Sequence, residues 1–570
     1  MLGERSMTQK AWYIGNTTVR NAKRLKDGLR VLLKSPLHGN LIGREKEQEF
    51  AKLLHNEGVV FVKRLNDSPD NDASDVGRKW RAALMQLGFI KPPFADKPFT
   101  ITPNGMRLVE SRTMPSEQEC FLRALLAYQI PSEIENSFPE PIFSPLRIVL
   151  EILAALERQG LDAEISQDEM ASIVQLTRSL DEIDNVVDRI AEYRERLATI
   201  TGVRERRNFI REYLRSAATT SQSENTLLDY ADSNFRYLKL TGLFVENGRK
   251  LRFASHKRTV IEQILAEPYT PIPESEYLET LWNGAKLPTD NAPKAIEVIQ
   301  TTAQLLAKSG QTVDLPNLEE MEVPDLSRLR LELEDDWLKV LEKQYAQDQV
   351  NQWQDILEYL RALTQPIRRG SIIPQGEGAA YFEWAIWRAF LAINSLANEP
   401  WEARRFRIDQ DFLPLGPAPG NGPDMIFEFD DFVIVVEVTL TQSSRQEAAE
   451  GEPVRRHVAE MVDHYEQQGK RVYGLFLANK IDTNTAETFR IGVWYRSDDS
   501  RMALRIVPLT LEQFVHLFEA GFQATGRLDC RLLEQVLRDC LVESNNDAPE
   551  WKRRIQQQVD RVVQRLKRTS

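Results

Sequence analysis

Two carboxylates thirteen residues apart, Asp424 after Pro423 and Glu437 before Val438-Thr439, are the pair in this 570-residue chain whose placement suggests chemistry. Asp424 opens one apolar run and Glu437 stands near the end of the next, with Asp430-Asp431 between them as a turn. In a strand, turn and strand, these side chains face each other at the mouth of a hairpin. With the Val438 carbonyl they offer hard oxygen donors for Mg²⁺ and leave positions for water and a phosphate. Phosphate-ester hydrolysis is among the slowest uncatalysed reactions, and a metal supplies charge stabilisation and an acidified water that carboxylates alone do not. Pro-Asp by itself carries no such meaning, since Pro69-Asp70 and Pro324-Asp325 also occur. A solvated hairpin with edge carboxylates is the competing reading.

Further groups gather around this pair in sequence. Glu383 lies among Tyr381, Phe382, Trp384, Ile386, Trp387 and Phe390 on a helical pattern. Inside such a face a carboxylate needs a partner, a metal-bound water or a basic residue; on the polar edge it needs none. His457 ends Glu452-Pro-Val-Arg-Arg-His, near the expected start of a helix and close to Glu450, Arg455 and Arg456. There it is either structural or a proton shuttle or phosphate ligand.

The elements expected to hold these groups are α/β in character. A helix is predicted over about Ala379–Ala397, strands near Met425–Phe429, Phe432–Leu440, Val472–Ala478 and Leu504–Pro508, and a polar helix over about Glu452–Gln468. A turn-rich break, Arg368-Arg369-Gly370 through Gly378, precedes them. Upstream, residues 260–365 are Pro-punctuated, then helical from Leu326 to Leu363, and acidic; they read as a helical linker. Nearer the start, an extended Trp12-Tyr13-Ile14 leads into helices. A helix from Val76 to about Leu87 is followed by Gly88-Phe89-Ile90, a Pro/Lys-rich loop and Phe99-Thr-Ile-Thr. The order returns later, where helices at about Pro145–Gln159, Gln167–Ser179, Asp181–Ile200 and Thr226–Leu240 lead to Gly242-Leu-Phe and a hairpin. Its turn is predicted at Asn247-Gly248, both with positive φ. Helix, short strand, loop, short strand is the order of a winged helix; two unrelated α+β subdomains are the alternative.

Composition sets outer bounds. Three cysteines, Cys120, Cys530 and Cys540, are too few and odd in number for a disulfide framework, which suggests the reducing cytoplasm. With no Cys-x-x-Cys and six scattered histidines, no structural zinc site is expected. No apolar run approaches the roughly 20 residues of a membrane helix, so no membrane association is expected. A net charge of -12, taken as a whole, disfavours a polyanionic partner, but it is unevenly spread. Residues 1–110 hold 19 Lys+Arg against 12 Asp+Glu, whereas residues 261–360 hold 7 against 20. The acid belongs to the predicted linker, and the front of the chain is basic.

Several blocks in order make the chain resemble a known family. These are Trp12-Tyr-Ile-Gly-Asn-Thr-Thr-Val-Arg-Asn, Gly43-Arg-Glu-Lys-Glu-Gln-Glu-Phe-Ala-Lys, Tyr237-Leu-Lys-Leu-Thr-Gly-Leu-Phe, Gly420-Asn-Gly-Pro-Asp-Met, Glu437-Val-Thr and Glu452-Pro-Val-Arg-Arg-His. The chain resembles the AlwI family of Type IIS restriction endonucleases, which includes strand-specific nicking enzymes. The resemblance implies a multidomain α+β and α/β protein with four parts. These are winged-helix-type DNA-recognition modules over 1–115 and 116–258, an acidic helical linker over 259–366, and a PD-(D/E)XK nuclease domain over 367–570 with a mixed central sheet. It implies Mg²⁺ at Asp424, Glu437 and the Val438 carbonyl, and catalytic positions at Glu383, Asp424, Glu437, Glu450 and His457. The lysine usual to that nuclease fold is Thr439 here, as in the family's own Glu-Val-Thr form. The group that activates water is thereby left open among His457, Glu450 and a second metal.

On this reading the protein cuts double-stranded DNA a fixed short distance outside a short asymmetric site. Each active centre handles one strand, so a double-strand cut needs a transient homodimer on DNA, and a chain unable to pair would nick. A cognate DNA methyltransferase is the implied functional partner. Arg20, Lys23, Arg24 and Lys26, with Arg44 and Lys46, are candidate phosphate contacts. Arg78, Lys79 and Arg236 fall where recognition helices are expected and are candidates for major-groove edges. Solvated surface charge is the competing reading of each, and a DNA-binding regulator with a degenerate nuclease domain is the rival function.

Overall fold

Leu25, Leu29 and Leu32 recur at helical spacing and are fully buried on the helix Leu25–Lys34 in a computed structural model of the chain. The structure describes residues 10–19, 21–38, 40–68, 70–91, 100–136, 138–219, 221–368, 371–393, 395–442 and 445–569. Arg20, Arg369-Gly370 and most of the Pro/Lys-rich loop, 92–99, lie outside them. The chain forms two units, Met1–Trp337 and Leu338–Ser570, and the division falls within the helix Val323–Asp348.

In the first unit the helices Arg44–Asn56 and Ser74–Gln86 cross in near-backbone contact. A Cβ on Gly77 would meet the Glu47 carbonyl oxygen at 2.0 Å, so only glycine fits there. The strand pair expected after them is a single antiparallel bridge, Ile90 to Ile101. The extended segment at Trp12 is held by residues far along the chain. The Ala11 amide donates to Gln222 Oε1 at 2.7 Å, the Ile14 amide to Asn234 Oδ1 at 2.9 Å, and Trp12 Nε1 to the Thr177 carbonyl at 2.8 Å. One apolar core consequently runs from Ala11 to Val298, and the two expected modules share it.

A small sheet sits beside that core: β1 (Glu164–Ser166), β2 (Phe244–Asn247) and β3 (Lys250–Phe253), ordered β1-β3-β2 and antiparallel throughout. The hairpin turn lies one residue beyond the prediction. Asn247 pairs with Lys250, so Gly248 and Arg249 form the loop and take φ of +58° and +63°. The predicted helix Gln167–Ser179 stops at Ser172, and a helix absent from the sequence reading, Val203–Ala217, precedes Glu224–Lys239. The stretch 259–366 is no unit by itself: as far as Trp337 it groups with the first unit, where Leu287 and Val298 enter the core.

In the second unit the run Phe432-Val-Ile-Val-Val-Glu-Val-Thr is β-branched and apolar on both faces, as suits a strand covered on both sides. It forms β5 (Phe432–Thr439), flanked by β4 (Met425–Glu428) and β6 (Arg471–Ala478). β7 (Val493–Tyr495) and β8 (Arg501–Ala503) make a separate hairpin, and β9 (Ile506–Thr510) completes the sheet β4-β5-β6-β9. β4 runs antiparallel to β5, while β5, β6 and β9 are parallel, so the sheet is mixed as expected. The helix Gly378–Leu391 packs aromatically on the sheet, with the Phe390 ring stacked on Phe427 at 4.1 Å.

The crossover from β5 to β6 is the helix Arg445–Tyr465, which begins seven residues before the predicted start and carries Pro453 inside it. Gly451-Glu452-Pro453 reads locally as a helix start, because proline suits a first turn. Burial of Val454, Val458 and Val462 overrides that signal, and Gly474 of β6 leaves room for Val458, whose Cγ2 would lie 2.8 Å from an added Cβ. Glu450 and His457 therefore ride on one helix, seven residues apart and on one face. Among the described residues no helix is long and apolar enough to cross a membrane.

Candidate active site

The β4–β5 register pairs Met425 with Val436, which sets Asp424 beside Glu437 at the hairpin's open end. Asp424 Oδ2 accepts the Val438 amide at 2.9 Å, and the Asp424 carbonyl accepts from the Arg405 amide at 3.3 Å. Glu437, only 7% exposed, shares a strand face with Val433, Val435 and Thr439. His457 reaches it from the crossover helix, Nδ1 lying 2.6 Å from Glu437 Oε1. The other ring nitrogen of His457, Nε2, is buried without a partner. Thr439, at the position of the usual lysine, has its side chain bonded to Glu450. Glu383 points inward rather than to solvent, and its Oε2 accepts the Ala418 amide at 2.7 Å. The partner it needs is thus a backbone N–H. All five carried-over side chains come together in the second unit.

Their electrostatics are dominated by burial among like charges. Burial, then Asp424, holds the Glu383 carboxyl well above its ordinary range; burial, then Glu437, does the same to Asp424. Glu437 is pushed up to about 8 by burial and by Glu450. Burial also raises Glu450, against the Thr439 hydrogen bond, and lowers His457, helped by Arg456. Like-charged carboxyls crowded in this way call for protons or a cation. Among the described residues no three His, Cys, Asp or Glu side chains group as a metal site by themselves. Two carboxylates with the Val438 carbonyl are the available donor set, and Glu437 also hydrogen-bonds the Asp424 backbone and side chain.

Arg405 was missed by the sequence reading. Its guanidinium touches Asn421 Oδ1 at 2.6 Å and the Pro423 carbonyl at 3.3 Å, and it is a positive charge acting on both Glu437 and His457. It comes from an irregular stretch between the short helix Pro400–Ala403 and β4, where no periodicity marks it.

The proposed DNA contacts fare unevenly. Lys26, 2% exposed, donates to the Ser111 carbonyl at 2.7 Å and pairs with Glu117, and Arg24 is buried with Nη1 on the Val59 carbonyl at 3.1 Å. Both are corrected to structural cations, because the helix bearing them turns these side chains into the core. Arg236 bonds the Val19 carbonyl at 2.6 Å and Asp232 at 2.9 Å, an internal role rather than one at a groove. Arg44 is exposed beside Asp72 at 2.5 Å, Lys46 lies 3.9 Å from Glu49, and Lys79 lies 3.8 Å from Asp75. Arg78 is exposed and Lys23 half-buried. Arg20 is outside the described residues.

The model of the AlwI restriction endonuclease family matches residues 85–517. No curated protein matches the chain. Among solved structures, the small subunit of the heterodimeric restriction endonuclease R.BspD6I is similar at 28% identity over 36% of this chain and 97% of that one, with TM-score 0.28. The DNA-bound binding domain of the BpuJ1 endonuclease is 13% identical over 49% of this chain and 98% of that one, TM-score 0.32. Restriction endonuclease FokI is 12% identical over 93% of this chain and 98% of its own, TM-score 0.25.

Proposed function

This chain belongs to the AlwI restriction endonuclease family, a site-specific DNA nuclease, and on that premise we propose that it is a Type IIS enzyme dependent on Mg²⁺. The observation that carries the reading is the Asp424–Glu437 pair, raised by burial and by the nearby Glu450, beside the carbonyl of Val438. That surplus of buried negative charge fits a divalent cation, which Asp424, Glu437 and the Val438 carbonyl would hold. When bound, Mg²⁺ stabilises charge on the phosphate and acidifies water.

The chain's own residues do the rest. His457, kept neutral by burial, fixes the Glu437 carboxylate through Nδ1 and so presents its second oxygen. Glu450, raised toward neutrality and bonded to the Thr439 hydroxyl, is the group that takes the proton of the attacking water in place of the usual lysine. Arg405 meets the phosphate at the same mouth with a positive charge. The first unit reads the DNA site, and the helix Glu224–Lys239 followed by the β2–β3 hairpin supports a winged-helix-type module there. Double-strand cutting proceeds through a transient homodimer on DNA, and a cognate methyltransferase protects the host's own sites.

Supercoiled plasmid with Mg²⁺, followed by run-off sequencing of both strands, tests this reading. Wild type gives linear product with breaks at one offset from a shared short sequence. Nicked circles without linear product would move the protein to the strand-specific nicking class. Cleavage no greater than that of Asp424→Ala with any divalent metal would sink the nuclease reading in favour of a DNA-binding regulator.

A further inference from the structure

The helix Val203–Ala217 carries five arginines and two glutamates, and all five arginines are exposed. Arg204, Arg207, Arg211 and Arg215 follow at spacings of three, four and four, which puts them on one face. The opposite face is tied down: Phe209, Ile210 and Tyr213 pack against the first unit's core, and the Phe209 and Tyr213 rings lie 5.5 and 4.9 Å from Tyr193. Arg215 is held by Glu224 at 2.8 Å. Arg204, Arg206, Arg207 and Arg211 make no ion pair among the described residues, although Glu205 and Glu212 share their helix. By contrast, Arg194 is neutralised by Glu169 at 2.7 Å and Arg123 by Asp290 at 2.6 Å.

The hairpin turn carries a further exposed arginine. Arg249 is exposed at the β2–β3 loop, and its charge acts on Asp168 of the helix Gln167–Ser172. Asp168 and Arg206 in turn both act on the Tyr193 hydroxyl, so Arg249 lies toward the side of the helix that bears Arg206, across from the stripe of Arg204, Arg207 and Arg211. The acids near it are Asp168, Glu205 and Glu212, with Glu169 paired to Arg194 and Glu164 bound to Lys250.

We infer that the exposed face of the helix Val203–Ala217 forms a binding surface for the phosphodiester backbone of duplex DNA, with Arg204, Arg207 and Arg211 as its contacts. The inference rests on the DNA-endonuclease reading. It moves backbone binding away from Arg24 and Lys26, which the core consumes. The stripe from Arg204 to Arg211 and Arg215 spans about 16 Å at 1.5 Å per residue, along which one DNA strand presents roughly five phosphates. Exposed, unpaired guanidiniums on a rigid helix suit that ligand, since little is lost in ordering them and released counterions supply the affinity.

The test uses the full chain carrying Asp424→Ala, a short mixed-sequence duplex and fluorescence anisotropy across a KCl series. The triple variant Arg204→Gln, Arg207→Gln, Arg211→Gln should bind about 10-fold or more weakly at low salt, with the slope of log Kd against log[salt] reduced by roughly 2 to 3. The corresponding triple lysine variant should retain the parent's slope, because phosphate accepts a point charge where base-edge recognition needs the planar fork. If the glutamine triple does not keep the parent's melting temperature, Arg211→Gln alone is read, with an expected slope change of about 1. Parent binding with an unchanged slope in the glutamine variants would overturn the surface alone. Lysine variants as impaired as glutamine ones would overturn the phosphate assignment. A parent that ignores duplex DNA at low salt would overturn this inference and the DNA-endonuclease reading together.

Discussion

Glu334 in the first unit and Glu437 in the second are similarly hidden from water, at 4% and 7% exposure, yet their carboxyls move in opposite directions. Burial alone would raise Glu334, but Lys257 Nζ at 2.6 Å and Arg330 at 3.2 Å outweigh it and hold the group down to about 2. Arg330 also pairs with Glu119, which bonds Arg123, which bonds Asp290, so each buried charge there meets an opposite one. Glu437 is instead pushed up to about 8 by burial and by Glu450, against hydrogen bonds with Asp424 that act the other way. A compensated network holds elements together and needs nothing from outside. An uncompensated one leaves a demand for protons or a cation, which is the mark of a site.

Substitution should expose that difference most strongly at Asp424. Asp424→Ala should lower plasmid cleavage about 10³-fold, since on the proposed reading several kcal/mol of transition-state stabilisation would rest on a cation at this carboxylate. The metal-free protein should at the same time unfold no more easily, because one of several repelling carboxylates has gone. Glu334→Ala should do the reverse, destabilising the first unit by about 3–5 kcal/mol in denaturant melts while the cleavage chemistry persists wherever the fold survives. A strongly destabilised Asp424→Ala protein would erase the distinction between the two regions.

The pH response should differ in sign. Glu334 has a depressed folded pKa, so its contribution is present above the unfolded value near 4.5 and is lost as pH falls toward about 2. Glu437 has a raised folded pKa, so its stabilising proton is fully bound below about 4.5 and is lost as pH rises through about 8. In EDTA, hydrogen exchange of β5 amides should therefore speed up between pH 5 and 8 by more than solvent chemistry accounts for, while the helix Val323–Asp348 around Glu334 stays protected until strong acid. Mg²⁺ should flatten the β5 response, adding about 2.7 kcal/mol at a concentration 100 times its Kd. A β5 profile insensitive to both pH and Mg²⁺ would remove the claim of an uncompensated cluster.

The same contrast explains what was legible in the residues alone. Asp424 and Glu437 declared themselves because a two-stranded hairpin is a local object, and its period of two fixes which side chains meet. Strands near Val472–Ala478 and Leu504–Pro508 were legible for the same reason, as short apolar runs. Compensation was not legible: nothing local says that Lys26 finds Glu117, or that Arg330 finds Glu119 211 residues away. A basic run therefore read as a DNA surface when part of it was core. Arg405 escaped because it comes from irregular chain, and the Val203–Ala217 helix because its arginines mask a five-residue apolar face. Pro453 misled for a further reason, since tertiary burial of valines outweighed a local helix-start signal.

The smallest expected effect bears on the Thr439–Glu450 bond, where the usual lysine is replaced by a hydroxyl. That bond lowers the Glu450 carboxyl against the rise imposed by burial, so it tunes a member of the uncompensated cluster. Thr439→Val keeps the shape of the side chain and removes the donor, a loss of about 1 kcal/mol, which is a factor of about 5. A base must be ionised to accept a proton, and without the hydroxyl Glu450 ionises at higher pH. The rising limb of kcat against pH should consequently move upward, with little change in DNA affinity and a plateau within about fivefold of wild type. A limb that stays in place while the plateau falls would take the proton-accepting role away from Glu450, and a limb displaced downward would reverse the sign assigned to the Thr439 hydrogen bond.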